Sequence, residues 1–140
     1  HKYSQIYSSP NAVLDEYNKT NQAVKKAIGN QLYNTNIFRF PGGSVGGKYK
    51  DLKTEAKLLL EQNNIVSVDW NALNGDAEGL ETEESLLNRL KETIQNKNSV
   101  VILMHDAADK AKTYNVLPQV IEYLKQEGYE FKTFFDILDK

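Results

Sequence analysis

Along these 140 residues, segments with apolar side chains at helical spacing alternate with short β-branched runs, and that alternation constrains the fold most. Ser9-Pro10 marks a helix start, because serine caps free backbone N–H groups and proline suits the first helical position. Val13, Tyr17, Val24 and Ile28 then recur at helical spacing, and Gly29 supplies a stop. Residues 37–40 read as a strand ended by Pro41, with a glycine-rich loop over 41–47. Leu52, Ala56, Leu59 and Leu60 mark a second helix, and residues 65–70 a second strand. Residues 71–79 read as a polar loop, and Thr82 as the cap of a third helix carrying Leu86, Leu87, Leu90 and Ile94. Residues 99–104 are almost wholly apolar, the pattern of a strand buried on both faces. Leu117, Val120, Ile121 and Leu124 mark a fourth helix closed by Gly128, and residues 131–135 a last strand. The order predicts an α/β fold with parallel strands alternating with helices. Four strands are too few to close a (β/α) barrel, which takes ~200 residues or more, so the sheet is open or the chain incomplete.

Composition narrows the functional classes. With 40% hydrophobic and 26% charged residues the chain reads as a single globular domain over residues 1–140. A net charge of −2 gives no basic excess for binding nucleic acid through its phosphates. No apolar run is long enough to span a bilayer, and no targeting signal is visible. The absence of cysteine excludes disulfides, thiolate metal sites and cysteine nucleophiles. Lysines outnumber arginines 15 to 2, so Arg39 and Arg89 stand out, as do His1, His105 and the single tryptophan, Trp70. The chain starts at His1 without a methionine, the mark of a piece cut from something longer.

Three predicted strands end in polar chemistry: Arg39 with Pro41, Asp69-Trp70, and His105-Asp106. In parallel α/β folds the strands' C-terminal ends form the functional face. Residues 42–48 fit a phosphate-binding loop, G-x-x-x-x-G-K, but Tyr49 stands where a small hydroxyl should bind magnesium. Residues 42–46 also fit G-x-S-x-G, and Ser44, Asp69 and His105 follow in the order of a serine hydrolase triad. The glycines continue past Ser44, however, where that nucleophile needs a tight strand-to-helix turn.

Residues 38–44 (F-R-F-P-G-G-S), 67–71 (S-V-D-W-N) and 102–105 (I-L-M-H) resemble, in order and spacing, the third to fifth motifs of the polysaccharide deacetylase family (NodB homology domain, carbohydrate esterase family 4). His1-Lys2-Tyr3-Ser4 with Tyr7-Ser8-Ser9-Pro10 resembles the stretch just after that family's second motif, H-[ST]-x-x-H, with His1 as the second histidine of that motif. The resemblance covers essentially the whole chain. It implies most of a distorted (β/α) barrel lacking its N-terminal strands, a partial catalytic domain. It further implies metal-dependent hydrolysis of N-acetyl groups from peptidoglycan or a chitin-like oligosaccharide, outside the cell or at its surface. The metal, most often zinc, with cobalt, nickel or manganese as alternatives, is held in the family by one aspartate and two histidines. Here His1 is the metal ligand that the resemblance implies. Arg39 is matched to the arginine that orients the catalytic aspartate, and Gly42, after Pro41, to the oxyanion N–H donor. His105 is matched to the general acid, with Asp69 hydrogen-bonded to it and raising its pKa. Trp70 and Leu103 are matched to the pocket for the acetyl methyl group. The family's paired aspartates, T-F-D-D, are not in this sequence, so the chain as given is expected to lack its first catalytic motif. A non-catalytic carbohydrate-binding relative is the further alternative.

Overall fold

The computed structural model describes residues 2–80 and 82–138, with the side chain of Leu138 left out. Its contacts gather into two compact units, His1–Asp69 and Trp70–Lys140.

In the first unit a short helix α1 (Tyr3–Ile6) precedes α2 (Pro10–Ile28). Ser9 caps α2 by accepting the Ala12 N–H at 3.1 Å, and Gly29 ends it with φ +68°. The buried face carries Val13 and Tyr17, but the next buried place belongs to Asn21, and Ile28 is exposed. Asn21 earns burial by hydrogen bonding: its Oδ1 accepts the Thr35 N–H at 3.3 Å. Strand β1 (Ile37–Phe38) pairs in parallel with β2 (Val66–Ser67), Ile37 beside Val66 and Phe38 beside Ser67. Helix α3 (Lys50–Gln62) connects them. Ile6, Tyr7, Val13, Tyr17, Phe40, Ala56, Leu60 and Ile65 form the core.

In the second unit β3 (Ala72–Leu73) pairs in parallel with β4 (Ile102–Leu103), Leu73 in register with Leu103. Between them runs α4 (Glu83–Ile94), and α5 (Ala111–Gln126) follows β4. Thr82 caps α4 in a reciprocal box with Ser85. The core is Ala72, Leu86, Leu90, Ile94, Val116, Val120 and Leu124. The last element is α6 (Phe134–Leu138), a helix and not the strand expected there.

Parallel strands alternating with helices are thus present in both units. The strands are shorter than the sequence suggested, two residues each in the pairs β1–β2 and β3–β4. The run over 99–104 is also not buried on both faces. Val100, Ile102 and Met104 pack on their unit's core, while Val101 is 36% exposed, so the strand is covered on one face within its own unit. Residues 71–79, expected to be a polar loop, include β3 and the buried Asn74 and Asp76.

Candidate functional site

In the second unit, chemistry converges where β4 meets α5. His105 follows β4 by two residues, and its ring Nδ1 lies 2.7 Å from Asp76 Oδ1. The His105 backbone N–H donates to the other carboxylate oxygen, Oδ2, also at 2.7 Å. Thr113, in the first turn of α5, donates its hydroxyl to that same Oδ2 at 3.0 Å. Asn74 Oδ1 accepts the Asp76 N–H at 3.2 Å, and Lys110 Nζ donates to the Asp76 carbonyl at 2.7 Å. The Asp76 side chain is 4% exposed and that of His105 is 36% exposed. Burial alone would raise the Asp76 pKa, but the hydrogen bonds from the His105 ring and backbone and from Thr113 hold it below the usual 3.8. Asp76 is therefore an ionised acceptor, so the proton on the facing imidazole nitrogen is Nδ1–H and the chemistry of His105 falls to Nε2.

This corrects the sequence assignment. Asp76, not Asp69, is the carboxylate that orients His105. The sequence signal was present but one strand further on. Asp76 closes the turn after Ala72-Leu73, a pair that read as loop because it lies inside a polar stretch. Thr113 and Lys110 were also missed, since nothing in their spacing separates them from ordinary first-turn residues.

In the first unit, Asp69 lies shortly after β2 and accepts from Ser44. The Ser44 N–H reaches both carboxylate oxygens at 3.0 Å, and its hydroxyl donates to Oδ2 at 2.5 Å. Asp69 therefore bonds Ser44 and not His105, so it does not take the place that the Ser44-Asp69-His105 order assigned it. The hydroxyl of Ser44 is directed at the Asp69 carboxylate, and the carboxylate on His105 Nδ1 is that of Asp76. The phosphate-loop reading gains nothing either, because Tyr49 sits at the head of α3 with its ring 5.1 Å from that of Tyr7.

Phe40, Pro41, Gly42 and Gly43 form a turn closed by Gly43 N–H to the Phe40 carbonyl at 2.8 Å. Proline at the second place and Gly42 at φ +74° in the third are the residues a type II turn demands. The turn's bond uses the N–H of Gly43, so that of Gly42 is not part of it. Tyr7 fixes the turn by donating its hydroxyl to the Pro41 carbonyl at 2.6 Å. Burial, then the charges of Tyr3 and Asp69, push the Tyr7 phenol up to about 12, against an opposing pull from Arg39. Arg39 itself is exposed and directly follows β1. Leu103 lies half-buried in β4, and Trp70 is half-buried at the start of the second unit. His1, the metal ligand implied by the resemblance, lies outside the described residues. Among the described residues no three His, Asp or Glu side chains gather in a way that could hold a metal ion.

A Bacillus subtilis protein named for polysaccharide deacetylation, YheN, is 27% identical over 143 residues, covering 99% of this chain and 47% of its own length. A Streptococcus mutans CE4 esterase has a TM-score of 0.80 and 35% identity, covering 94% of this chain and 58% of that one. In sequence and in fold the chain is thus similar to polysaccharide deacetylases of carbohydrate esterase family 4. A second structural neighbour agrees: the catalytic domain of a peptidoglycan N-acetylglucosamine deacetylase from Eubacterium rectale, with TM-score 0.79 and 29% identity over 94% of this chain and 60% of its own. No family model matches the sequence. The chain spans about half the length of the curated relative it matches.

Proposed function

We propose that the chain carries the metal-dependent hydrolysis of N-acetyl groups on a cell-wall polysaccharide, peptidoglycan or a chitin-like oligosaccharide. The observation that supports it best is the clamp on His105, whose ring and main chain both bond to one buried carboxylate. A sugar amine is a poor leaving group and needs a proton. In this reading His105 delivers that proton from Nε2. Asp76 keeps the ring in one tautomer and orientation and stabilises the imidazolium before transfer. The Gly42 N–H is the donor to the developing oxyanion, on a turn pinned by Tyr7. Arg39 orients a carboxylate, and Trp70 and Leu103 receive the acetyl methyl group.

A divalent metal, zinc or else cobalt, nickel or manganese, belongs to the proposal through the family's chemistry. The described residues do not supply a donor set that fits it, so no step is routed through it here. The same reading carries a partial, distorted (β/α) barrel as its fold and a location outside the cell or at its surface. No helix among the described residues is long and apolar enough to cross a membrane.

The test is acetate release from N-acetylated peptidoglycan fragments and chitin oligomers by the complete gene product. His105→Ala is expected to lower the rate by about a hundredfold or more. Acetate release that is unaffected by the substitution would overturn the assignment.

A further inference from the structure

Position 42 is glycine, and the space where a side chain would begin there is already occupied. A Cβ at Gly42 would lie 2.9 Å from the Tyr3 hydroxyl oxygen and 3.3 Å from two carbons of its ring. Tyr3 comes from α1, so a residue distant in sequence covers the turn after β1. Its ring meets that of Tyr7 edge-on, with centroids 5.8 Å apart and planes at 70°. Tyr7 in turn holds the Pro41 carbonyl. Tyr3 is thus supported by Tyr7 and by the turn itself, yet it is not core. Tyr7 and Phe40 are 3% and 0% exposed, whereas Tyr3 is 50% exposed.

We propose that Tyr3 is a sugar-contacting residue, the wall against which a pyranose ring of the acylated polysaccharide packs. The substrate class rests on the deacetylase reading. A pyranose offers an apolar C–H face and a rim of hydroxyls, and a half-exposed tyrosine offers an aromatic face with a polar tip. Support from Tyr7 reduces the ordering cost when the sugar binds. Gly42 and Tyr3 form one device: any larger residue at 42 would displace the ring, besides being strained at φ +74°.

The experiment uses the complete gene product and an N-acetylglucosamine hexamer, with calorimetric binding and acetate release measured on the same samples. Tyr3→Ala is expected to weaken hexamer binding and raise KM by about tenfold, with a much smaller change in kcat. Tyr3→Phe, which keeps the ring, retains most of the affinity. Gly42→Ala also weakens binding, but adds little when combined with Tyr3→Ala. Circular dichroism melts of each variant separate loss of the contact from loss of fold. Unchanged affinity and KM in Tyr3→Ala overturn the proposal, as do fully additive effects of the two substitutions. Wild-type protein that fails to bind the hexamer overturns it too. Binding that depends on Tyr3 without acetate release keeps this proposal and replaces the deacetylase reading with a non-catalytic carbohydrate-binding role. Acetate release with a KM indifferent to Tyr3 does the reverse.

Discussion

Asp76 accepts three hydrogen bonds through its carboxylate, two of them from His105, and its main chain is tied by Asn74 and Lys110. Such a group acts through its neighbour, so Asp76→Asn should lower kcat by about ten- to hundredfold while KM changes little. The amide cannot accept Nδ1–H and two further donors as the carboxylate does. The same bonds predict an acid limit. The folded pKa of Asp76 is below its ordinary 3.8, so its contribution to stability is present above that value and is lost as pH falls through the lowered one. Denaturant melts below about pH 4 should show a steeper loss in wild type than in Asp76→Asn. The sequence pointed to His105 correctly as a polar strand end, because β4 and its apolar neighbours are legible as a strand. It pointed to the wrong aspartate because hydrogen bonding between a side chain and a distant main chain leaves no spacing signal. Asp69 had the more conspicuous place, at the end of a longer β-branched run, and its carboxylate is taken by Ser44. Tyr7 marks the opposite end of the scale. Its phenol titrates near 12 instead of 10, so stability should fall as pH rises from about 10 toward 12. Tyr7→Phe should remove that alkaline loss, and at neutral pH should cost about 1 kcal/mol for the bond to Pro41. Thermal melts across that range check both signs.

At the scale of elements, helix ends were the most legible features. Ser9, Gly29 and Thr82 each do what their residue type suggests, since a cap is decided by a few neighbouring atoms. The last element shows how local chemistry can override composition. Residues 131–135 are aromatic enough to suggest a strand, yet Thr133 and Asp136 cap one another across T-x-x-D. Asp136 accepts the Thr133 N–H at 2.6 Å, and Thr133 Oγ1 accepts the Asp136 N–H at 3.3 Å. That reciprocal box starts α6 and wins over β propensity. The turn from β3 to Asp76 is where an element most directly controls the site. Gly75 has φ +77°, and a Cβ there would lie 2.7 Å from Leu80 Cδ1 and 2.9 Å from Arg89 Cγ. Gly75→Ala therefore meets both backbone strain and crowding, and should cost about 1–3 kcal/mol. Because Asp76 is the next residue, activity should fall along with stability. A variant with a normal melt and normal activity would show that this turn does not set the position of His105.

At the scale of the whole chain, the parallel α/β alternation was legible and the division of the core was not. Apolar spacing says which face of a helix is buried, but not which strand pair it covers. Ala56 and Leu60 pack with Val13, Tyr17 and Phe40, whereas Leu86, Leu90 and Ile94 pack with Val116, Val120 and Leu124. In the sequence the two sets look alike. Unit 1 has its strands bridged by α3, and unit 2 has its strands bridged by α4, so each core is closed by the helix between its own paired strands. The consequence is measurable. Leu60 and Leu90 are both fully buried, so each change to alanine leaves a cavity and should cost about 2–5 kcal/mol. Amide exchange should report where the loss falls. Leu60→Ala should speed exchange most in α2 and α3, and Leu90→Ala most in α4 and α5, since protection follows the contacts that each side chain makes. If either substitution loosened all four helices equally, the two cores would be acting as one cooperative unit.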